Sequence, residues 1–154
     1  MKPILIFCLL LLLLATSCTH RGSSNTISGD YMIIGSAGGF TSRASTYYRI
    51  SGGQLWADTV VLSYHVPTNI SDFHFNTLLP ASKYATVKNL LSQVPAELLS
   101  RNKQDIGNYI PDMGYTDVRT SVNGASYQWT FEGDQSGSST AIQQFLDSVR
   151  VVFQ

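Results

Sequence analysis

Residues 116–131, TDVRTSVNGASYQWTF, determine the fold more than any other stretch of this sequence. Asn123-Gly124 at its centre is a pair that adopts the positive φ angles of a type I′ turn, so the flanking runs predict a hairpin. Alternation along the two strands places on one face the side chains of Val118, Val122, Tyr127, Trp129 and Phe131. The opposite face receives those of Asp117, Arg119, Ser121, Ser126, Gln128 and Thr130. One apolar and one polar face predict an antiparallel sheet that is buried on one side.

A second hairpin is predicted upstream, where Thr46–Ser51 and Gln54–Leu62 flank Gly52-Gly53. Two glycines also suit a two-residue type I′ turn, which fixes the pairing of the strands. The expected pairs are Ile50–Leu55 and Tyr48–Ala57 on the core face, and Arg49–Trp56 and Tyr47–Asp58 on the other face. Before this hairpin, Tyr31–Ser36 predicts a first strand that ends at a glycine turn.

Two helices are predicted from apolar residues at steps of three and four. The first covers Ala81–Val94, starts after Pro80 and ends or kinks at Pro95; its apolar stripe comprises Tyr84, Val87, Leu91, Val94 and Leu98. The second lies at the C-terminus with Ser138 or Ser139 as N-cap, and its stripe comprises Ile142, Phe145, Leu146, Val149 and Phe153. Together the patterns predict an α+β domain over residues 30–154. It has an antiparallel sheet of about five strands with two helices packed on one face, in the order β-β-β-α-β-β-α.

Composition narrows the classes of function. The formal net charge is zero, with ten basic and ten acidic side chains in 154 residues. A nucleic-acid-binding domain usually carries a basic stripe, and this balance gives no indication of one. The sequence therefore predicts no nucleic-acid partner.

The N-terminus predicts a secretory leader. Lys2 precedes twelve apolar residues, Ile4–Ala15, a run that suits the core of a signal peptide and is shorter than the roughly 20 residues of a membrane-spanning helix. The next residues, Ala15-Thr16-Ser17-Cys18, resemble the bacterial lipobox. The resemblance implies cleavage of residues 1–17 and attachment of lipid to Cys18. It also identifies the chain as a bacterial lipoprotein whose membrane partner is reached through its N-terminal lipid.

The remaining cysteine usage agrees with lipid attachment. Cys8 lies inside the predicted leader, so the mature chain has one cysteine and cannot form an internal disulfide. Residues 18–29 are polar and rich in glycine and serine, which predicts a flexible tether. Because Thr19 is not the aspartate of the inner-membrane retention signal, we expect the outer membrane, facing the periplasm, as the location.

A glycine turn carries a second resemblance, through Ala37-Gly38-Gly39-Phe40-Thr41-Ser42. With the order of elements around it, this turn is similar to the Ser-Gly-Gly-Phe-Ala-Gly turn of emfourin-type inhibitors of thermolysin-like metalloproteases. Thr41 and Ser42 depart from that motif, and the insert from Tyr64 to Asn76 has no counterpart in the family. The GGFT turn also resembles one in uncharacterised bacterial lipoproteins. The resemblance implies protein binding, with inhibition of an exported metalloprotease as the alternative function.

No pattern of catalytic residues stands out. His65, Asp72 and His74 are metal-ligand types within ten residues, but their spacing matches no common metal site, and His74 between Phe73 and Phe75 predicts a short extended edge instead. The sequence has neither G-x-S-x-G nor H-E-x-x-H. We therefore expect no enzyme activity, no metal and no cofactor.

The face of the first hairpin that carries Tyr47, Arg49 and Trp56 is the predicted contact surface for a partner, because exposed aromatic residues with arginine are typical of protein interfaces. Phe40 and Arg43 in the glycine turn complete this predicted surface. The alternative is that a loop or the insert covers the three hairpin residues. The expected function is that of a membrane-anchored lipoprotein whose domain binds a protein or another component of the envelope.

Overall fold

A computed structural model of the protein describes residues 29–38, 45–62, 69–108, 110 and 113–154. The strands of this part form one seven-stranded sheet in the order β4-β3-β2-β1-β6-β7-β5. Their bounds are β1 Tyr31–Gly38, β2 Ser45–Ser51, β3 Gln54–Leu62, β4 Phe75–Leu78, β5 Gln104–Ile106, β6 Gly114–Val122 and β7 Ala125–Phe131. The structure confirms the α+β class. The predicted leader, Cys18 and the predicted tether up to residue 28 lie outside the described residues, as do residues 39–44, which include the last four residues of the glycine turn and Arg43.

Both predicted hairpins are confirmed, including their registers. In β2–β3, Ile50 lies opposite Leu55 and Arg49 opposite Trp56. In β6–β7, Val118 lies opposite Trp129. The turn residues have the positive φ angles that the sequence requires: 55° and 74° at Gly52 and Gly53, and 52° and 79° at Asn123 and Gly124.

Strand β1 lies in the middle of the sheet and pairs antiparallel with β2 on one side and β6 on the other. Its three isoleucine and methionine side chains are fully buried. The first residue of β1, Tyr31, pairs with Ser51 in β2 and with Ser121 in β6. The start of β1 therefore lies close to the turns of both hairpins. The preceding Asp30 accepts a hydrogen bond from the backbone N–H of Asn123 at 2.9 Å, which ties the start of the domain to the second hairpin turn.

The predicted five-strand, purely antiparallel sheet is wrong in two places, because the sheet has seven strands and is mixed. Strand β4 adds to the edge beside β3, and β5 pairs parallel with β7 at the other edge. These strands have four and three residues, too few for alternation to be recognised in the sequence. The extended edge predicted around Phe73–Phe75 is nonetheless close to where β4 begins.

Helices cover one face of the sheet, which we call the helix face. They are α1 Ala81–Val87, α2 Ala96–Leu99 and α3 Thr140–Arg150. The core there joins the helices to alternate strand residues such as Met32, Ile34 and Trp129, and the Trp129 indole donates to the Leu98 carbonyl at 3.0 Å. Ser139 is the N-cap of α3, because its side chain accepts from the N–H of Ile142. No helix in the described part of the chain is long and apolar enough to cross a membrane.

The predicted single helix over Ala81–Val94 is wrong beyond Val87. The chain turns there and continues as a 3-10 helix, Leu90–Gln93, before the short α2. The Asn89 carbonyl accepts from the backbone N–H of Ser92 at 3.0 Å, the i to i+3 bond of a 3-10 helix, and also from the Ser92 hydroxyl at 2.8 Å. The tighter winding buries Leu90, whereas Leu91 is only partly buried.

The opposite face, which we call the insert face, has a small core of its own. Tyr31, Ile33 and Tyr47 pack there against Phe73 from the segment before β4, with Ile70 and Phe75 around them. The prediction that the polar face of β6–β7 is open to solvent is therefore wrong at Asp117 and Arg119, which are 1 % and 6 % exposed.

Candidate binding surface on the insert face

The insert is held over the sheet by a carboxylate of β3. Asp58 is buried, and its Oδ2 accepts a hydrogen bond from the backbone N–H of His74 at 2.6 Å. This bond fixes Phe73 and Phe75 on either side of His74, and the two rings stack with centroids 5.3 Å apart. The alternation of these three residues in the sequence thus becomes two rings over the sheet and one exposed histidine.

Tyr47 lies beneath Phe73, with ring centroids 4.9 Å apart. Its ring crosses β1 at Gly35, where a Cβ would overlap ring carbons of Tyr47. Its hydroxyl is buried and has no hydrogen-bond partner in the part of the chain that the structure describes. Burial raises the pKa of Tyr47 well above its ordinary value, and the nearby charge of Asp117 adds to the rise. Tyr47 is therefore a neutral core residue.

Beside Tyr47, a buried ion pair joins two residues of β6. Arg119 Nε lies 2.9 Å from Asp117 Oδ2, while the side-chain amide of Gln128 donates to Asp117 Oδ1 at 3.2 Å. The guanidinium also lies over the Phe73 ring, 5.2 Å from its centroid. Burial raises the pKa of the Asp117 carboxyl, although Arg119 acts in the opposite direction. Both oxygens of the buried Asp117 carboxylate thus accept hydrogen bonds from side chains inside the protein, and the pair forms part of the packing of the insert face.

Arg49, Trp56, Phe75 and Leu78 form what we call the Arg49 surface, near the β4 edge of the sheet. The Arg49 guanidinium carbon lies 5.5 Å from the Trp56 ring centroid and 5.0 Å from that of Phe75. Leu78 pairs with Trp56 across β3–β4 and is 51 % exposed, the outermost apolar side chain of this surface. Arg49, Trp56 and Phe75 are partly exposed. Cation–π contacts of this kind fix a planar cation at a protein surface.

Arg49 makes no ion pair with any residue that the structure describes. Its Nε is buried and has no hydrogen-bond acceptor among the residues that the structure describes, and burial lowers the pKa of the guanidinium. The two ion pairs found among the described residues use Arg119 and Arg150 instead. Among the described residues, Arg49 is thus a cation that contacts aromatic rings and no carboxylate.

The residues predicted to contact a partner are therefore separated. Arg49 and Trp56 lie together at the surface. Tyr47 is fully buried, so its prediction as an exposed contact is wrong, and the alternative that the insert covers it is correct for this residue. Phe40 and Arg43 lie outside the described residues, and the partner contact predicted for them, like the resemblance to metalloprotease inhibitors, stays a prediction. The sequence missed Phe75 and Leu78, because the pairing of β4 with β3 is what brings them to the surface.

The residues weighed as metal ligands do not meet in the described structure. Asp72 accepts from the backbone N–H of Asn69 at 3.0 Å, and His74 is exposed. His65 lies outside the described residues. Within the described ranges, no group of three His, Cys, Asp or Glu side chains is placed to hold a metal ion.

An open polar cleft of about 540 Å³ lies on another side of the molecule, between β5 and the start of α3. Its lining includes Glu97, Arg101, Asp105 and Ser139. The Glu97 carboxylate accepts a hydrogen bond from the hydroxyl of Ser139, the N-cap of α3. The cleft therefore results from the packing of α2 against the cap of α3.

Comparison with protein-family models and with curated proteins finds no match for the chain.

Proposed function

We propose that this chain is a membrane lipoprotein, anchored through Cys18, whose domain binds another protein or another component of the cell envelope and does not act as an enzyme. The observation that supports binding is the Arg49 surface: a partly buried guanidinium between two aromatic rings, without a carboxylate partner among the described residues. The outer membrane, facing the periplasm, is the proposed location.

A partly buried cation without a counter-charge lowers the stability of a folded chain, because its lost hydration is not replaced by an ion pair. Arginine and tryptophan are also the residue types that contribute most to binding energy at protein interfaces. The position of Arg49 beside Trp56 across β2–β3 therefore lowers the stability of the free domain. The same two residues contribute binding energy in a complex.

The position of this surface also favours a protein partner. Leu78 is half exposed on β4, which is the last strand of the sheet at this edge. Edge strands offer unpaired backbone groups, and an exposed apolar side chain beside them adds area that can be removed from water. A partner that approaches this edge meets Leu78 first and Trp56 directly behind it.

The proposal is tested with a photo-crosslinking amino acid placed at residue 78 of the full-length protein in the native host. Irradiation should yield a discrete adduct that contains this protein and one partner. Trp56→Ala should remove most of the adduct, because it deletes the aromatic ring behind residue 78.

The matched control is the same amino acid at Val151, which is 38 % exposed on the last turn after α3. Residue 151 should give no adduct of that size. Identical adducts from both positions, or an adduct at residue 78 that Trp56→Ala leaves unchanged, would contradict a binding role for this surface. A circular-dichroism melt of Trp56→Ala confirms that the variant is folded at the temperature of the experiment.

A further inference from the structure

None of the carboxylates in the part of the chain that the structure describes forms an ion pair with Arg49. The sequence has ten Asp and Glu residues, and Asp112 is the one that lies outside the described ranges. Several of the others are already engaged within the domain: Asp30 with the Asn123 N–H, Asp58 with the His74 N–H, Asp72 with Asn69, Asp117 with Arg119, Asp134 with Ser136 and Asp147 with Arg150. None of the described acidic side chains pairs with Arg49.

Two aromatic rings orient the Arg49 guanidinium before any hydrogen-bond acceptor binds. Rings at 5.0 Å and 5.5 Å from the guanidinium carbon restrict the orientation of the group, so little side-chain entropy remains to be lost on binding. A guanidinium presents its N–H groups as a planar fork, and a carboxylate accepts two of them in parallel. A single fixed arginine therefore matches a single carboxylate.

The neighbours of Arg49 decide between kinds of anion. Phosphate groups are usually held by several cations or by a run of backbone N–H groups. On the insert face, the nearby Arg119 is already held by Asp117. The rings of Trp56 and Phe75 flank Arg49, and Leu78 lies on the far side of Trp56. A singly charged carboxylate with an apolar neighbour fits this surface better than a phosphate does.

We propose that Arg49 binds the side-chain carboxylate of an Asp or Glu in a protein partner, and that an apolar side chain of the same segment packs on Trp56 and Leu78. This inference rests on the proposed binding function and specifies its chemistry. The acidic residue supplies a counter-charge that no described residue of the domain gives to Arg49, and the apolar residue covers the exposed part of Leu78.

The probe for this test is a phage-displayed library of random twelve-residue peptides, selected against the full-length protein in detergent. Enriched peptides should contain an Asp or Glu within a few residues of a Leu, Ile, Val or Phe. Each selected peptide is then synthesised with its acidic residue and with the matching amide, Asn or Gln. The amide form should bind about tenfold more weakly, in line with a charge-assisted hydrogen bond at a partly exposed site.

Arg49→Met is the decisive variant, because it removes the charge and keeps most of the length and apolar character of the side chain. For this protein, the acidic and amide peptides should bind with affinities within about twofold of each other, whereas Arg49→Lys should keep part of the preference. If Arg49→Met does not fold, the comparison of the two peptides on the unaltered protein still tests the charge.

Three results would overturn the inference: enriched peptides without acidic residues, no enrichment at all, or the same acid-to-amide difference on Arg49→Met as on the unaltered protein. Leu78→Ser separates this failure from a failure of the proposed function. If Leu78→Ser abolishes peptide binding while the acidic residue has no effect, the surface binds a partner by apolar contact alone. If the acidic residue has no effect and the photo-crosslinking amino acid at residue 78 also gives no adduct, the proposed binding function itself is wrong.

Discussion

Gly35 leaves space above β1 for the ring of Tyr47, since a Cβ there would overlap that ring. We expect Gly35→Ala to lower the free energy of unfolding by about 1–3 kcal/mol, because an added methyl group in a packed core forces its neighbours to move. Urea denaturation of the purified protein measures the loss. In a Tyr47→Leu background the same substitution should cost clearly less, since the ring is gone. If Gly35→Ala lowered the free energy of unfolding equally in both backgrounds, the contact with the Tyr47 ring would not be the source of the loss.

Asp117 gives the stability of the domain a defined dependence on pH. Burial raises the pKa of its carboxyl in the folded state above the ordinary value of 3.8. The folded state then holds a proton that the unfolded state releases, so this residue favours folding at low pH and loses that contribution as pH rises above about 3.8. The free energy of unfolding of the unaltered protein, measured by urea titration from pH 3 upward, should therefore fall with rising pH relative to that of Asp117→Asn. A difference between the two proteins that stays constant with pH would contradict the raised pKa.

Single residues show where sequence reasoning reaches its limit. The register of β2–β3 follows from Gly52-Gly53, so the adjacency of Arg49 and Trp56 could be predicted. The burial of Tyr47 could not, because it depends on Phe73, which is distant in the sequence. Asp117 and Arg119 have the polarity of exposed residues, but two residues apart on one strand face they neutralise each other and tolerate burial.

Among the secondary-structure elements, the turns and registers of both hairpins could be predicted to the residue, because a two-residue turn determines both its own conformation and the pairing of its strands. Strands β4 and β5 were missed because three or four residues show no periodicity, and each is stabilised by a longer neighbour. The helix after Pro80 was predicted too long because apolar spacing alone does not separate α from 3-10 winding. In that segment, the Asn89 carbonyl accepts from the N–H of Ser92, three residues further along.

The start of α3 gives a test at the level of one element, because the sequence left Ser138 and Ser139 open as its cap. The Ser139 side chain accepts from the Ile142 N–H, so Ser139→Ala should lower the free energy of unfolding by about 1 kcal/mol. Thermal unfolding followed by circular dichroism measures the change. Ser138→Ala is the matched control and should have the smaller effect, since the Ser138 hydroxyl bonds to the Gln135 side chain instead. The reverse order of the two variants would assign the cap to Ser138.

At the level of the whole molecule, the class and the helix face were predictable, because the apolar sides of both hairpins and of α3 point to one core. The second core, on the insert face, could not be predicted from the sequence. It exists because Ile70, Phe73 and Phe75 pack on the insert face, and Asp58, whose carboxylate accepts from the His74 N–H, gives no sign of this role in the sequence. The candidate surface is a product of that arrangement, since Phe75 and Leu78 reach Arg49 and Trp56 only when β4 joins the sheet.

The proposed anchor is tested by the mass of the native protein. Mass spectrometry should find a chain that begins at Cys18 and carries acyl groups, because roughly 0.8 kcal/mol for each buried methylene makes two or three chains a stable anchor. Cys18→Ser should leave the leader attached or release the domain from the membrane fraction. Thr19→Ser, at the next position, is the control and should behave as the unaltered protein does. An unmodified thiol at residue 18 of the native protein would exclude the anchor.

The central place of β1 has a mechanical consequence. Tyr31 begins this strand directly after the proposed tether, and β1 is bonded along its length to β2 and to β6. A force transmitted from the bilayer through the tether would act along β1 and load both ladders in shear, so that many hydrogen bonds would have to break together. Had the tether led into β4 or β5, the same force could have peeled off an edge strand one bond at a time. The proposed tether would thus join the domain at a strand that is paired on both sides, and such a strand resists extension better than an edge strand does.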